Sequence, residues 1–579
     1  MSLDLRRVIF ERYRTPIFIA ATFVTSSLAL RPDSTLVPNI LNLSVLYTYA
    51  PFLFRSDEPY RVWKVLGTGV ALTAGSALSR THASLEALSS PAQSLITLFI
   101  LSSFLSALAL GATFAGVKLS TRFPSTWSQI ALFPSIWATL WATTSYISPV
   151  GHLSTWGVAN NADSYNWLIP YLGPASKDWV IGAWAVVLSQ TLTHWYMGFE
   201  EPDQIPNLTL PARSNNPVDH SMSATRKLLA LVLVLLTVPS FSSSPLPLPI
   251  SQIEAATPIT VGCVNPPYQQ HKHHNPTLDD YISETNKLRN WGGRILLWPE
   301  GAVVFNTPKE KEDAFTKIRE QVTGPYVGVS FEETISDPAD PSGRKSVTRA
   351  GLAVISKYLD EPHLIYYKRH LVPFAESYRL RGSSPHPTIF EAPLKSPGRG
   401  ITDHQWSPDG NHTRPIPMTA SICLDFASAS PFAELDSRPA LILAPARTWD
   451  RTVGYAMWLQ AKQRAEEIGS TVLWCDGGEG GVSGVGGGGF NDVTQVGSGS
   501  FLKTIGIKYP FDNRRTPYAR FGDSVLVLVW ALVLGPGVLG FISPRLPFFQ
   551  RGVHGARGLL KRRNSTPSPV IAQANLIDV

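Results

Sequence analysis

Long apolar runs recur through the first 243 residues, and no other feature of the sequence restricts the possible folds so strongly. They fall at 15–31, 35–54, 62–79, 93–117, 128–148, 179–198 and 225–241, with one more at 523–543. Each approaches the roughly 20 residues that an α-helix needs to cross a bilayer core. Soluble cores do not repeat such runs seven times in succession, and too many follow the first for it to be a removable signal peptide. The reading is a multi-pass α-helical membrane domain over 1–243 with about seven spans, and a final span within 521–543, about eight in all. The average composition, 44% apolar and 16% charged, hides this asymmetry because 258–520 intersperses charged residues as a soluble domain does.

Charge sets the expected topology. The net charge is +7, and basic residues gather at Arg6, Arg7, Arg12 and Arg14 and again at Arg545, Arg551, Arg557, Lys561, Arg562 and Arg563. Both clusters flank apolar segments, where Lys and Arg mark the cytoplasmic side. No groove-reading or base-stacking motif accompanies them, so nucleic acid is not an expected partner. Two cytoplasmic ends require an even number of spans. Seven before the globular region and one after it put 258–520 on the non-cytoplasmic side and leave 544–579 as a basic cytoplasmic tail. The expected state is integral to the bilayer.

Within 258–520 short apolar runs alternate with helical patterns. RILLW (294–298), YVGVS (326–330), GLAVIS (351–356), HLIYY (363–367), TASI (419–422), ALILA (440–444) and STVLW (470–474) read as strands. Segments 309–321 and 453–468 read as amphipathic helices, and such alternation implies an α/β domain. Glu300, Lys368 and Cys423 each stand just after one of these strands, where open α/β folds place their chemistry. A cysteine attacks carbonyls as its thiolate and so needs a base and a positive neighbour. Glu300 can supply the base, and Lys368 the charge that also steadies an oxyanion.

The remaining features are read as structural. Three cysteines (Cys263, Cys423, Cys475) are too few for a disulfide framework and lack zinc-site spacing. The His271, His273, His274 group reads as a solvated loop, so neither a metal nor a cofactor is expected. The glycine-dense CDGGEGGVSGVGGGGF (475–490) lacks GK[ST] and reads as a flexible solvent loop.

Taken together, LLWPEGAVVF, YYKRHLVPFAE, SICLDF and TPYARFGD resemble the nitrilase (carbon–nitrogen hydrolase) superfamily, and within it most nearly the apolipoprotein N-acyltransferases. The resemblance implies a four-layer αββα sandwich beside the membrane helices, and a Glu–Lys–Cys triad of Glu300, Lys368 and Cys423. It implies a supporting role for Glu376, and it aligns Asp425 with a family glutamate and Trp449 with a family tryptophan. The expected reaction moves a fatty acyl group from a phospholipid donor, through a Cys423 thioester, to an amine acceptor such as a lipoprotein N-terminus. Departures from the pattern at Leu424, Asp425 and APARTWD (444–450) leave the acceptor open. A membrane-bound amidase with water as acceptor passes through the same thioester and is the alternative; a catalytically dead scaffold would not need the triad. A lipid ester would require the pocket to open at the span ends, with the loop at 149–178 and the loops after Glu376 and Cys423 as walls.

Overall fold

A computed structural model describes residues 5–542 apart from 32–34, 56–57, 89, 157–162, 198–216, 243–254, 268–275, 338–339, 343, 397–405, 408–411 and 488–489. The basic tail and the three clustered histidines therefore lie outside the described residues.

Helices stand at each of the eight apolar segments: α1 (Arg14–Ala29), α2 (Leu36–Leu53), α3 (Arg61–Leu78), α4 (Pro91–Ser120), α5 (Thr126–Ile147), α6 (Pro174–Met197), α7 (Pro217–Leu235) and, after the globular part, α11 (Val525–Ile542). Four stretches are long and apolar enough to cross a membrane by length and composition: Leu36–Leu53, Pro91–Ser120, Met222–Phe241 and Pro517–Pro536. The count of eight is thus met only in part. The others are shorter or carry more polar residues, and burial explains why they can. In α5, Ser135 donates to Ala131 O at 2.9 Å, Thr139 to Ser135 O at 2.7 Å and Thr144 to Leu140 O at 2.8 Å, so each hydroxyl is satisfied by its own helix. Only 28% of the apolar stretch of α4 is buried, so there the side chains themselves must be apolar. Helix α11 belongs with the others: Val525 and Val529 share their core, and Trp530 Nε1 donates to Thr139 Oγ1 at 2.9 Å.

The globular part holds two mixed sheets. One has strand order β13-β1-β2-β4-β5-β6, from β1 (Ala256–Cys263), β2 (Ile295–Leu297), β4 (Tyr326–Ser336), β5 (Ser346–Ile355), β6 (Leu364–Tyr367) and β13 (Phe501–Lys508), with β3 (Val303–Phe305) also on β4. The other runs β12-β11-β10-β9-β8-β7, from β7 (Phe390–Lys395), β8 (Thr413–Ala420), β9 (Leu441–Ala446), β10 (Thr471–Asp476), β11 (Val482–Gly487) and β12 (Phe490–Val496). The first strand pairs antiparallel with the last, Ala256 opposite Lys508 and Cys263 opposite Phe501.

Alternation along the strands sorts the layers. Val261, Ile295, Leu297, Leu352 and Val354 share a core with Leu441, Leu443 and Trp474 of the second sheet. Their neighbours Leu296, Trp298, Val327, Val329 and Ala353 face the other way, onto Tyr281, Ile282 and Leu288 of α8 (Leu278–Asn290) and Ala314, Phe315 and Ile318 of α9 (Pro308–Gln321). Helix α10 (Arg451–Ile468) covers the second sheet through Met457, Trp458 and Ala461. The order is helix, sheet, sheet, helix. All seven expected strands and both expected helices are present.

Two expectations are corrected. The glycine-dense segment is no solvent loop, since β11 lies within it and is buried along its whole length. A Cβ at Gly484 would stand 2.0 Å from Asp492 O, at Gly478 1.6 Å from Thr448 O, and at Gly486 2.8 Å from Trp458, so the glycines permit close packing. The cysteines also pair: Cys263 and Cys475 form a disulfide between the two sheets, 212 residues apart in sequence, leaving Cys423 as the free thiol. Thiol titration of denatured, unreduced protein is accordingly expected to find one group per chain. Cys263→Ala with Cys475→Ala is expected to lower stability by about 2–5 kcal/mol, read as a fall in melting temperature under non-reducing conditions. Three titrating thiols would contradict the pairing.

Candidate active site

Three strand ends meet where the two sheets face each other. Glu300 follows β2, and its N–H donates to Ala446 O at the end of β9 at 3.2 Å, which ties the first sheet's loop to the second sheet. Lys368 follows β6 directly, its N–H held by Ala350 O at 3.0 Å. Cys423 follows β8 and opens a short 3-10 turn, Cys423–Ala427, with φ of +43°. A left-handed conformation is costly for a side-chain-bearing residue, of order 1–3 kcal/mol, and such strain clusters at functional sites.

The side chains converge. Lys368 Nζ donates to Glu300 Oε1 and to Glu376 Oε1, each at 2.8 Å, and the Cys423 thiol lies close enough to feel the charges of Glu300 and Lys368. Glu376 is anchored in turn by the Val372 N–H at 2.9 Å. Asp425 lies beneath this group and clamps the β6 loop onto the nucleophile turn. It accepts from Tyr366 Oη at 2.8 Å, from the Arg369 and His370 N–H groups at 3.1 and 2.7 Å, and from the Ile422 N–H at 3.3 Å. This short carboxylate therefore has a full set of partners.

Burial and mutual charge set the protonation. Burial pushes Glu300 up to about 7, against the opposing pull of the Lys368 ammonium. Burial likewise raises the Cys423 thiol well above its usual range, and the Glu300 charge adds to this, while Lys368 and the Arg447 backbone N–H oppose it. The resting pair is a neutral thiol beside a carboxylate poised near neutrality, not a preformed thiolate.

Arg447 was not singled out from the sequence, although it obeys the rule that exposed the other three: it stands directly after a strand, β9. Its backbone N–H approaches the thiol, and its side chain lines a cavity of about 1090 Å³ that reaches Glu300. Lys309, Glu310, Asp313, Lys317 and Glu479 line the same cavity. Lys368 and Cys423 do not line it, and among the described residues neither does any from 149–178 or from the loops after Glu376 and Cys423, so this is not the cavity expected at the nucleophile. Residues of the 149–178 loop pack instead against the back of the nucleophile turn, so closely that a Cβ on Gly151 would stand 1.9 Å from Ala427 O. Trp449 also lies elsewhere. Its indole N–H donates to Ala83 O at 3.0 Å, next to a second cavity, so it joins the helical part to the globular part and does not meet the triad.

No family model matches the sequence, and no curated protein matches it. Solved structures do. A Saccharomyces cerevisiae member of branch 10 of the nitrilase superfamily is 15% identical over 44% of this chain and 92% of its own, with a TM-score of 0.30. A carbon–nitrogen hydrolase from Helicobacter pylori is 12% identical over 48% and 92%, with a TM-score of 0.31. The C. elegans NitFhit protein is 15% identical over 43% and 61%, with a TM-score of 0.26. The resemblance to apolipoprotein N-acyltransferases rests on the sequence motifs alone.

Proposed function

We propose that the chain is a membrane N-acyltransferase of the nitrilase type, with Glu300, Lys368 and Cys423 as its catalytic residues. The observation that carries this reading is the buried ion pair of Glu300 and Lys368 brought beside Cys423 at a strained turn, in a domain packed on apolar helices. Glu300 takes the thiol proton as Sγ attacks the ester carbonyl carbon of a phospholipid. The oxyanion is steadied by the Lys368 ammonium and by the Arg447 N–H. Collapse expels the lysophospholipid alkoxide, which receives the proton from Glu300 and leaves a thioester on Cys423. An amine then attacks the thioester, Glu300 takes its proton and passes it to the departing thiolate, and an amide is released. Glu376 and Asp425 are positioning residues, one for Lys368 and the other for the turn.

Two further observations support the membrane setting. The Cys263–Cys475 disulfide suits an oxidising compartment, which agrees with a globular domain on the non-cytoplasmic side. The loop carrying Glu376 presents Phe374 and Tyr378, 77% and 80% exposed, as apolar groups able to meet a bilayer surface. The charged lining of the cavity at Glu300 favours a second reading, in which water discharges the same thioester and the chain is an amidase.

The test is to incubate the purified full chain with phospholipid bilayers, weigh the intact protein for an acyl adduct on Cys423, and then offer amines. An adduct that discharges into amide supports transfer. An adduct formed only from short amides and lost to water supports the amidase, and no adduct from either substrate refutes the mechanism.

The base must be ionised to act. The rate of acyl capture is therefore expected to rise with pH through about 7 and then level off, falling about tenfold per unit on the acid side. Glu300→Gln is expected to lower the rate by roughly 10²–10⁴ and to abolish this step in the pH profile. A wild-type rate that is flat between pH values well below and well above that point would contradict the assignment.

A further inference from the structure

A second cavity, of about 290 Å³, lies between the helical part and the globular part. Its walls come from the C-terminal ends of α1 and α3, from Leu98 near the start of α4, from residues 152–156 and from α10. Leu98 and Leu459 give it apolar sides, and Arg31 and Arg80 bring two positive charges at the helix ends. No Asp or Glu lines it, and neither guanidinium has a recorded side-chain partner among the described residues. His152 also lines it, but burial holds its pKa well below the usual value, so the charge comes from the arginines.

Trp156 and Gln460 also line the cavity, and they are only 5% and 4% exposed. With two arginines and no acidic residue among its walls, the cavity calls for an occupant that offers an anionic group to the arginines and an apolar portion to the leucines.

We propose that this cavity binds an anionic phospholipid, with its phosphate on Arg31 and Arg80. The volume lies at the lower edge of the roughly 300–1,000 Å³ usual for small-molecule sites, so it takes the head group and the start of one chain. The cavity shares no lining residue with the one at Glu300, so this site is separate from the proposed thioester chemistry and does not depend on it.

The test uses the full chain in phosphatidylcholine nanodiscs, titrated with phosphatidylglycerol and followed by native mass spectrometry. Wild type is expected to retain phosphatidylglycerol in preference to phosphatidylcholine, and Arg31→Gln and Arg80→Gln each to weaken retention about tenfold. Arg31→Lys and Arg80→Lys should keep most of it. Equal retention of the two lipids by the wild type overturns the proposal without recourse to any variant. So does phosphatidylglycerol retention that is unchanged in Arg31→Gln with Arg80→Gln. Inorganic phosphate that binds in an arginine-dependent way, with no lipid preference, overturns the lipid assignment.

Discussion

Cys423→Ala is expected to eliminate acyl capture while leaving the protein folded. Removing the attacking atom of a covalent mechanism typically costs on the order of 10⁶ in turnover, so transfer should fall to background and no adduct mass should appear. The fold should tolerate the change, because alanine meets the same left-handed φ of +43° that cysteine already accepts. Asp425, not the thiol, holds the turn onto the β6 loop. The lost sulfur leaves a small void worth about 1 kcal/mol. Intact-mass analysis after incubation with lipid, beside a melting curve, checks both halves. An adduct of undiminished yield in the variant would place the nucleophile elsewhere.

Lys368→Met is expected to damage stability and activity together. Burial alone would push the Lys368 ammonium down, but the Glu300 and Glu376 carboxylates outweigh it and raise its pKa. The lysine's own titration therefore leaves the pairing's contribution to stability intact below the unfolded value of about 10.4 and removes it only above that. On the acid side, protonation of Glu300 near pH 7 withdraws one of its partners. Replacing Lys368 leaves two carboxylates facing each other with no cation between them, which typically costs about 3–5 kcal/mol. Protonating Glu300, whose pKa already lies near 7, relieves that repulsion. The melting-temperature deficit of the variant should therefore be larger above pH 7 than below it. Loss of the oxyanion partner should lower acyl capture a further 10²–10³-fold, roughly. A deficit that is the same on both sides of neutrality would mean that the carboxylates are not coupled through this lysine.

The three residues that the fold brings together were legible because strand ends are legible. RILLW, HLIYY and TASI are short, apolar and rich in β-branched or aromatic residues, so the position after each could be counted off. Tertiary partners were not legible in this way. The clamp by Asp425 joins residues more than fifty positions apart through backbone N–H groups, which leave no compositional trace. The disulfide joins two buried strands of different sheets, and three cysteines alone do not say which two will meet. The glycine-dense stretch misled for a related reason. Glycine serves flexibility and close approach equally well, and only the neighbours at Asp492, Thr448 and Trp458 decide between them. In the helical part, hydropathy found every long helix but not the short ones such as Thr81–Leu85, nor which helices need apolar surfaces all round, because that depends on which neighbour each one meets.

The pairing of β1 with β13 also dictates a timetable. The globular part begins and ends in adjacent antiparallel strands, with Ala256 beside Lys508, so the first strand made has its outer edge open until the last has left the ribosome. More than two hundred residues separate them, which is tens of seconds of synthesis at about 5–20 residues per second. During that interval β1 is an unpaired edge of the kind that recruits other chains. A chain that stops short of Phe501 never covers it, however complete its reactive residues are. The segment that closes this sheet is also the one that leads into α11, so the chain finishes the sheet and returns to the helices in a single pass.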